Sequence, residues 1–248
     1  MLLSREENKN MKILIIRHGD PDYAKDSLTE KGWREAELLS QRLIKMKIDN
    51  FYCSPLGRAK DTAKPTLEKL NREAEILPWL AEFRGSIINP ATGKKDIPWN
   101  FEPEYWTKKP ELFDKNNWLL NERMQSGNVT EIFLETISGI DELLLRHGYK
   151  KDGYIFDCDN NSDKTIAIFC HFALGSAVLG YILGISPSLL WQSTFLPPTS
   201  VTTLISEERT KGQIYFRCMQ MGDTSHLYVG NEPVSTSGLF PEMYNFDN

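Results

Sequence analysis

KILIIRHGD, residues 12–20, is the stretch on which the fold turns. Lys12–Ile16 is a short, continuous apolar run, mostly β-branched. Such a run reads as a strand covered on both faces, as in a parallel sheet flanked by helices. Three polar residues, Arg17, His18 and Gly19, follow it at once. Two further strands end in the same way. Phe51–Cys53 runs into SPLGRAKDTA, residues 54–63, and Ile166–Phe169 runs through Cys170 into His171.

Between these strands the spacing turns helical. Ala36, Leu39, Leu43 and Met46 recur at steps of three and four, which predicts a helix within 28–48. Ser54-Pro55 reads as a helix start, with Ser54 at the N-cap and Pro55 at the first helical position. That helix is expected to run towards Leu70, kinked at Pro65. Ile76-Leu77 adds a short strand. Val129–His147 is amphipathic and ends at Gly148. Residues 150–164 read as a polar loop around a short 154–156 segment. A helix is expected over 173–183, and 201–205 with 214–219 form a hairpin around EERTKG. Residues 84–127 stand apart. They carry four prolines together with Trp99, Phe101, Tyr105, Trp106, Phe113 and Trp118.

The expected architecture is α/β, a three-layer sandwich: a mostly parallel central sheet, helices on both faces and the aromatic-rich insertion. Residues 1–10 read as a flexible N-terminal extension, with Met11 as a second possible start. Residues 11–248 read as one domain, in which 84–127 forms a lid or a subdomain.

Composition narrows the function classes. The chain has 248 residues, 29 Lys+Arg against 34 Asp+Glu, a net charge of −5 and 40% hydrophobic residues. Six Trp, nine Tyr and twelve Phe argue against a disordered chain. Net acidity without a basic run argues against a nucleic-acid platform. Cys53, Cys158, Cys170 and Cys218 are widely spaced, and no secretory leader is visible, so buried or inert thiols in a reducing, cytoplasmic compartment are expected. Residues 165–206 contain no Asp, Glu, Lys or Arg, but His171, three glycines and three prolines break the run. A buried strand and helix explain it better than a membrane span.

In open α/β sheets, ligands bind at the carboxyl ends of the strands. If the three strands are neighbours, Arg17, His18, Arg58 and His171 converge on one edge. Two guanidiniums, imidazoles and a helix N-terminus suit a phosphate dianion. Arg-His-Gly occurs again at 146–148, at a helix end, where it reads as ordinary capping chemistry. Its position after a buried strand therefore matters more than the tripeptide. Cys170 is expected to point into the core, and His226, in GDTSHL, to cap a loop.

ILIIRHGD, SPLGRAKDTA, the acidic residue of LAEFRG and IAIFCHFALG, in this order, together with LTEKGWREAELL, resemble the histidine phosphatase superfamily, phosphoglycerate mutase-like branch. The resemblance implies roles for residues. His18 resembles the nucleophile that becomes a phosphohistidine. Arg17 and Arg58 resemble phosphate clamps, His171 the second histidine that binds the transferring group, and Glu82 the proton donor. Asp20 competes with Glu82 for that role. The implied enzyme is a metal-independent phosphomonoester hydrolase, without a cofactor, acting on a small phosphorylated metabolite. Its partners would be that substrate alone, with neither nucleic acid nor membrane, in a monomer or homodimer. A phosphoglycerate-type mutase and a non-catalytic phosphate- or partner-binding member are the alternatives. The chain departs from the family in two places. Phe172 stands where Gly is frequent, and Asp20–Tyr23 (DPDY) does not match the longer polar stretch of the mutases.

Overall fold

The apolar run becomes strand β1 (Lys12–Arg17), buried at every residue after Lys12. The computed structural model describes residues 9–239. Seven more strands join β1: β2 (Asn50–Cys53), β3 (Glu75–Ile76), β4 (Lys150–Asp152), β5 (Ile155–Asp157), β6 (Thr165–Cys170), β7 (Val201–Thr210) and β8 (Gln213–Asp223). The sheet order is β3-β2-β6-β1-β7-β8-β5-β4.

Pairing is parallel from β3 through β2 and β6 to β1. From β1 onward through β7, β8, β5 and β4 it is antiparallel. The sheet is thus mixed rather than mostly parallel. Parallel neighbours need a crossover, whereas the chain after residue 200 comes back beside β1 and then folds as a hairpin. Residues 150–164 are not simply a loop, since β4 and β5 add an antiparallel edge. β7 and β8 are also longer than the expected hairpin, and they turn at Lys211-Gly212, where Gly212 has φ +78°.

Helices cover both faces. Leu14 and Ile16 pack with Leu39 and Leu43 of α1 (Glu30–Leu43) and with Ala59 and Ala63 of α2 (Gly57–Leu70). Ile13 and Ile15 point the other way, into a cluster with Ile140 and Leu144 of α3 (Val129–Arg146) and Leu174 and Ala177 of α4 (Phe172–Leu183). This is the alternation that a strand buried on both faces requires. α2 continues through Pro65 as one helix.

The insertion packs into the second cluster. Phe101, Leu112, Trp118 and Met124 all belong to it. Trp118 is 1% exposed and meets Phe133 edge-on at 4.9 Å and Trp191, of α5 (Pro187–Ser193), at 5.4 Å. Of the N-terminal extension, residues 1–8 lie outside the described residues. Lys9 and Asn10 are held to the body: Asn161 donates to the Lys9 carbonyl and Asn10 to the Ser206 carbonyl, both at 2.6 Å. No described helix is long and apolar enough to cross a membrane.

Candidate active site

Strand register assembles the site. Arg17 pairs with Cys170 across β1 and β6, and Phe169 pairs with Cys53 across β6 and β2. The residues that follow these three strand ends, His18, His171 and Ser54, therefore emerge within one residue of the same level. Backbone bonds fix them there: His18 N donates to Cys170 O at 3.0 Å and Ser54 N to Phe169 O at 2.9 Å.

His18 is 2% exposed. Its Nδ1 lies 2.8 Å from the Gly19 carbonyl oxygen. A carbonyl only accepts, so Nδ1 carries the proton and Nε2 keeps its lone pair. Nε2 has no hydrogen-bond partner among the described residues. Burial, then the Arg17 charge, push the imidazole pKa down to about 3, so the ring is neutral at physiological pH.

His171 faces it, ring centroids 5.1 Å apart. Burial, the His18 ring and both arginines hold it well below the usual histidine range. Its Nε2 lies 2.7 Å from Ser54 Oγ, and its buried Nδ1 has no partner among the described residues.

Arg17 is 4% exposed. Nη1 donates to Leu196 O at 2.6 Å and Nη2 to Ser237 O at 2.9 Å. Its guanidinium lies 5.9 Å from the Phe172 ring and 5.6 Å from that of Phe195. The Phe172 side chain thus has a contact within the site, against Arg17. Arg58, in the first turn of α2, donates from Nη1 to Asp26 Oδ1 at 2.6 Å and lies 5.4 Å from the Tyr23 ring. The Nε of each arginine is buried without a partner among the described residues. Buried unpaired polar groups are costly and rare, so two arginine donors and one ring nitrogen on residues near one imidazole mark a polar place suited to an acceptor.

Glu82 lies between these elements and α4. Its Oε1 accepts from Phe83 N at 2.8 Å and from Leu174 N, in the first turn of α4, at 3.0 Å. Burial pushes its pKa up, partly offset by those two N–H groups and the arginines. Its Oε2 has no partner among the described residues. Asp20, the competing acid, is committed elsewhere. Oδ1 accepts from Ser235 and Oδ2 from Thr29, and its N–H donates to Glu35 at 2.9 Å.

Ser54 does not cap α2. The N-cap is Leu56, and the cap comes from a distant loop: Asp26 Oδ2 accepts from Gly57 N at 2.7 Å. The sequence reading missed Asp26. It sits in a polar stretch without a motif, at φ +48°, and nothing local ties it to α2. It also missed Thr62, which accepts from Gly19 N at 2.9 Å and so locks the loop after β1 to α2.

The remaining candidates lie outside this constellation. His147 ends α3 and pairs with Tyr52 OH at 2.8 Å. His226 Nε2 pairs with Thr199 Oγ1 at 3.1 Å, and Thr199 N donates to His18 O, so His226 braces the loop behind the site. Burial raises the Cys170 thiol, which therefore stays protonated inside the core. Among the described residues, no group of three or more His, Cys, Asp or Glu side chains could hold a metal ion.

Comparison with known proteins converges on the same motifs. The histidine phosphatase superfamily (branch 1) profile matches residues 13–111, a segment holding Arg17, His18, Arg58 and Glu82. Over these residues, about two fifths of its length, the chain is similar to the histidine phosphatase superfamily, phosphoglycerate mutase-like branch. A probable phosphatase of Schizosaccharomyces pombe is 39% identical over 67 residues, 23% of this chain and 32% of that protein. A 2,3-bisphosphoglycerate-dependent phosphoglycerate mutase of Thermoplasma acidophilum is 39% identical over 96 residues, 34% of this chain and 46% of that one. The matches thus span less than half of these curated relatives. The fold reaches further. A phosphoserine phosphatase of Entamoeba histolytica, solved with 3-phosphoglyceric acid, superposes with a TM-score of 0.58 at 22% identity, covering 88% of this chain and 99% of that one. His171 lies beyond the family match and takes its place in the constellation from the sheet register.

Proposed function

We propose that this protein is a histidine phosphatase superfamily member that hydrolyses a phosphomonoester of a small metabolite, independently of metal, through a phosphohistidine at His18. One observation carries the reading. His18 Nε2 holds a free lone pair, while Arg17 Nε, Arg58 Nε and His171 Nδ1 are buried around it without partners among the described residues. A phosphoryl group would give both arginine nitrogens an acceptor, and His171 Nδ1 as well where that nitrogen carries the ring proton. Fixed cationic donors are also what a transferring phosphoryl group needs as charge spreads over its oxygens.

In the first step His18 Nε2 attacks phosphorus and the bond to the ester oxygen breaks. Glu82, whose pKa burial raises, gives its proton to that oxygen. In the second step water attacks the phosphohistidine, Glu82 takes up the water proton, and phosphate leaves with His18 neutral again. The free Oε2 of Glu82 favours it over Asp20, whose two oxygens are both engaged. The proposal includes a cytoplasmic location, action as a monomer or homodimer, and a small phosphorylated substrate as its only partner.

The test is phosphate release from an aryl phosphate with chelator present, wild type against His18→Ala. Release that disappears in the variant is expected. Release that survives in it would overturn the role of His18. A phosphoglycerate-type mutase is the second reading, favoured by the identity to the Thermoplasma enzyme. It would show phosphoryl exchange stimulated by a bisphosphate, without net phosphate release.

A further inference from the structure

We infer that Ser54 is a positioning residue: it fixes His171 as the Nδ1–H tautomer, so that this imidazole offers a neutral hydrogen-bond donor to the transferring phosphoryl group. The inference rests on the phosphoryl-transfer reading above. Its geometry stands independently of that reading.

Ser54 is fully buried at the end of β2. Its backbone N–H is held by Phe169 O, so the side chain has a fixed origin. Oγ accepts from Leu56 N at 3.2 Å and lies 2.7 Å from His171 Nε2. A serine hydroxyl has one proton to give and two lone pairs. In one arrangement the hydroxyl donates to Nε2. The imidazole proton then sits on Nδ1, and the hydroxyl is satisfied as both donor and acceptor. In the other, Nε2–H donates to Oγ. The buried hydroxyl proton then has no acceptor among the described residues, and the buried Nδ1 lone pair has no donor among them. The first arrangement leaves fewer buried groups unpaired and keeps a donor on Nδ1.

The consequence is chemical. A neutral donor beside His18 stabilises phosphoryl oxygens without delivering a proton to the nucleophile. A tautomer fixed by the partner of the opposite ring nitrogen is a familiar device in histidine sites. Here the partner is a hydroxyl rather than a carboxylate, which leaves His171 uncharged next to two arginines.

The test is long-range ¹⁵N–¹H NMR of the imidazole nitrogens of the full chain without substrate, His171 being assigned with His171→Gln. The expected wild-type spectrum shows a protonated Nδ1 and a bare Nε2. In Ser54→Ala the Nε2–H form should appear, and kcat should fall roughly 10- to 100-fold with KM changing less than about 3-fold. Ser54→Thr, which keeps a hydroxyl, should retain the Nδ1–H form and recover part of kcat. A wild-type His171 protonated on Nε2 would overturn the inference. So would a folded Ser54→Ala with wild-type tautomer and kcat. The wild-type spectrum decides even if the alanine variant does not fold. Because it is read without turnover, a failure of the functional reading, with no phosphate released from any ester, is distinguishable from a failure of the tautomer.

Discussion

Glu82 has the surroundings that the proposed acid role requires. Oε1 is tied to the first turn of α4 and Oε2 has no partner among the described residues, while burial raises the pKa. A raised carboxyl stays protonated to higher pH than an ordinary one and loses its proton as pH rises through the shifted value. Turnover of an alkyl phosphate, whose leaving oxygen needs that proton, should therefore fall along this alkaline limb. Glu82→Gln should lower kcat on an alkyl phosphate by about 10²- to 10⁴-fold and abolish the limb. An aryl phosphate, which leaves without help, should be affected far less. Equal losses on both substrates in steady-state pH profiles would contradict the donor role. At this scale the sequence was readable where a residue follows a buried strand: Arg17, His18 and His171 all declare themselves by position. Ser54 was not, because Ser-Pro before a helix is also a capping signal, and only the packed structure shows its hydroxyl turned to His171.

Elements place these residues through strand ends within one residue of the same level, and through a loop that does a cap's work. Asp26 reaches from the loop between β1 and α1 to the start of α2, bonding Gly57 N and Arg58 Nη1 together. Ser27 Oγ reinforces the same approach, donating to Asp61 at 2.6 Å. The fit is tight: a Cβ on Gly57 would lie 2.1 Å from the Asp26 carbonyl oxygen. Gly57→Ala must push loop and helix apart and displace Arg58. We expect kcat/KM to fall at least about 10-fold, since small displacements of positioning groups are costly, with about 1–3 kcal/mol of stability lost. Unchanged kinetics alongside a normal thermal melt would contradict this coupling. The centre of the parallel half was legible because β1 and β6 are apolar and rich in isoleucine, with β2 a short buried aromatic run beside them. The β4–β5 edge was not: its first strand reads Lys150-Lys151-Asp152, and an edge strand facing solvent carries no apolar pattern.

The whole molecule brings residues far apart in sequence to one sheet edge and surrounds them with two cores. The insertion's contribution could not be read from sequence, since a tryptophan in a Pro-rich stretch looks the same whether it lines a cleft or packs. Here Trp118 packs between Phe133 and Trp191, joining the insertion to the core that supports α4 and therefore His171. The mixed sheet follows the same logic. Parallel strands converge on the site, and the antiparallel half holds the loop at Thr199 against His18 O. These parts meet around the neutral His18 imidazole, whose Nε2 has no partner among the described residues and is the proposed nucleophile. The measurement that tests it most directly is rapid mixing with an aryl phosphate, an alkaline quench that preserves phosphohistidine, and peptide mass spectrometry. One phosphoryl group on His18, formed and discharged during turnover, is the expected result. Turnover with the phosphoryl group on another residue, or with none on His18 at any mixing time, would contradict it.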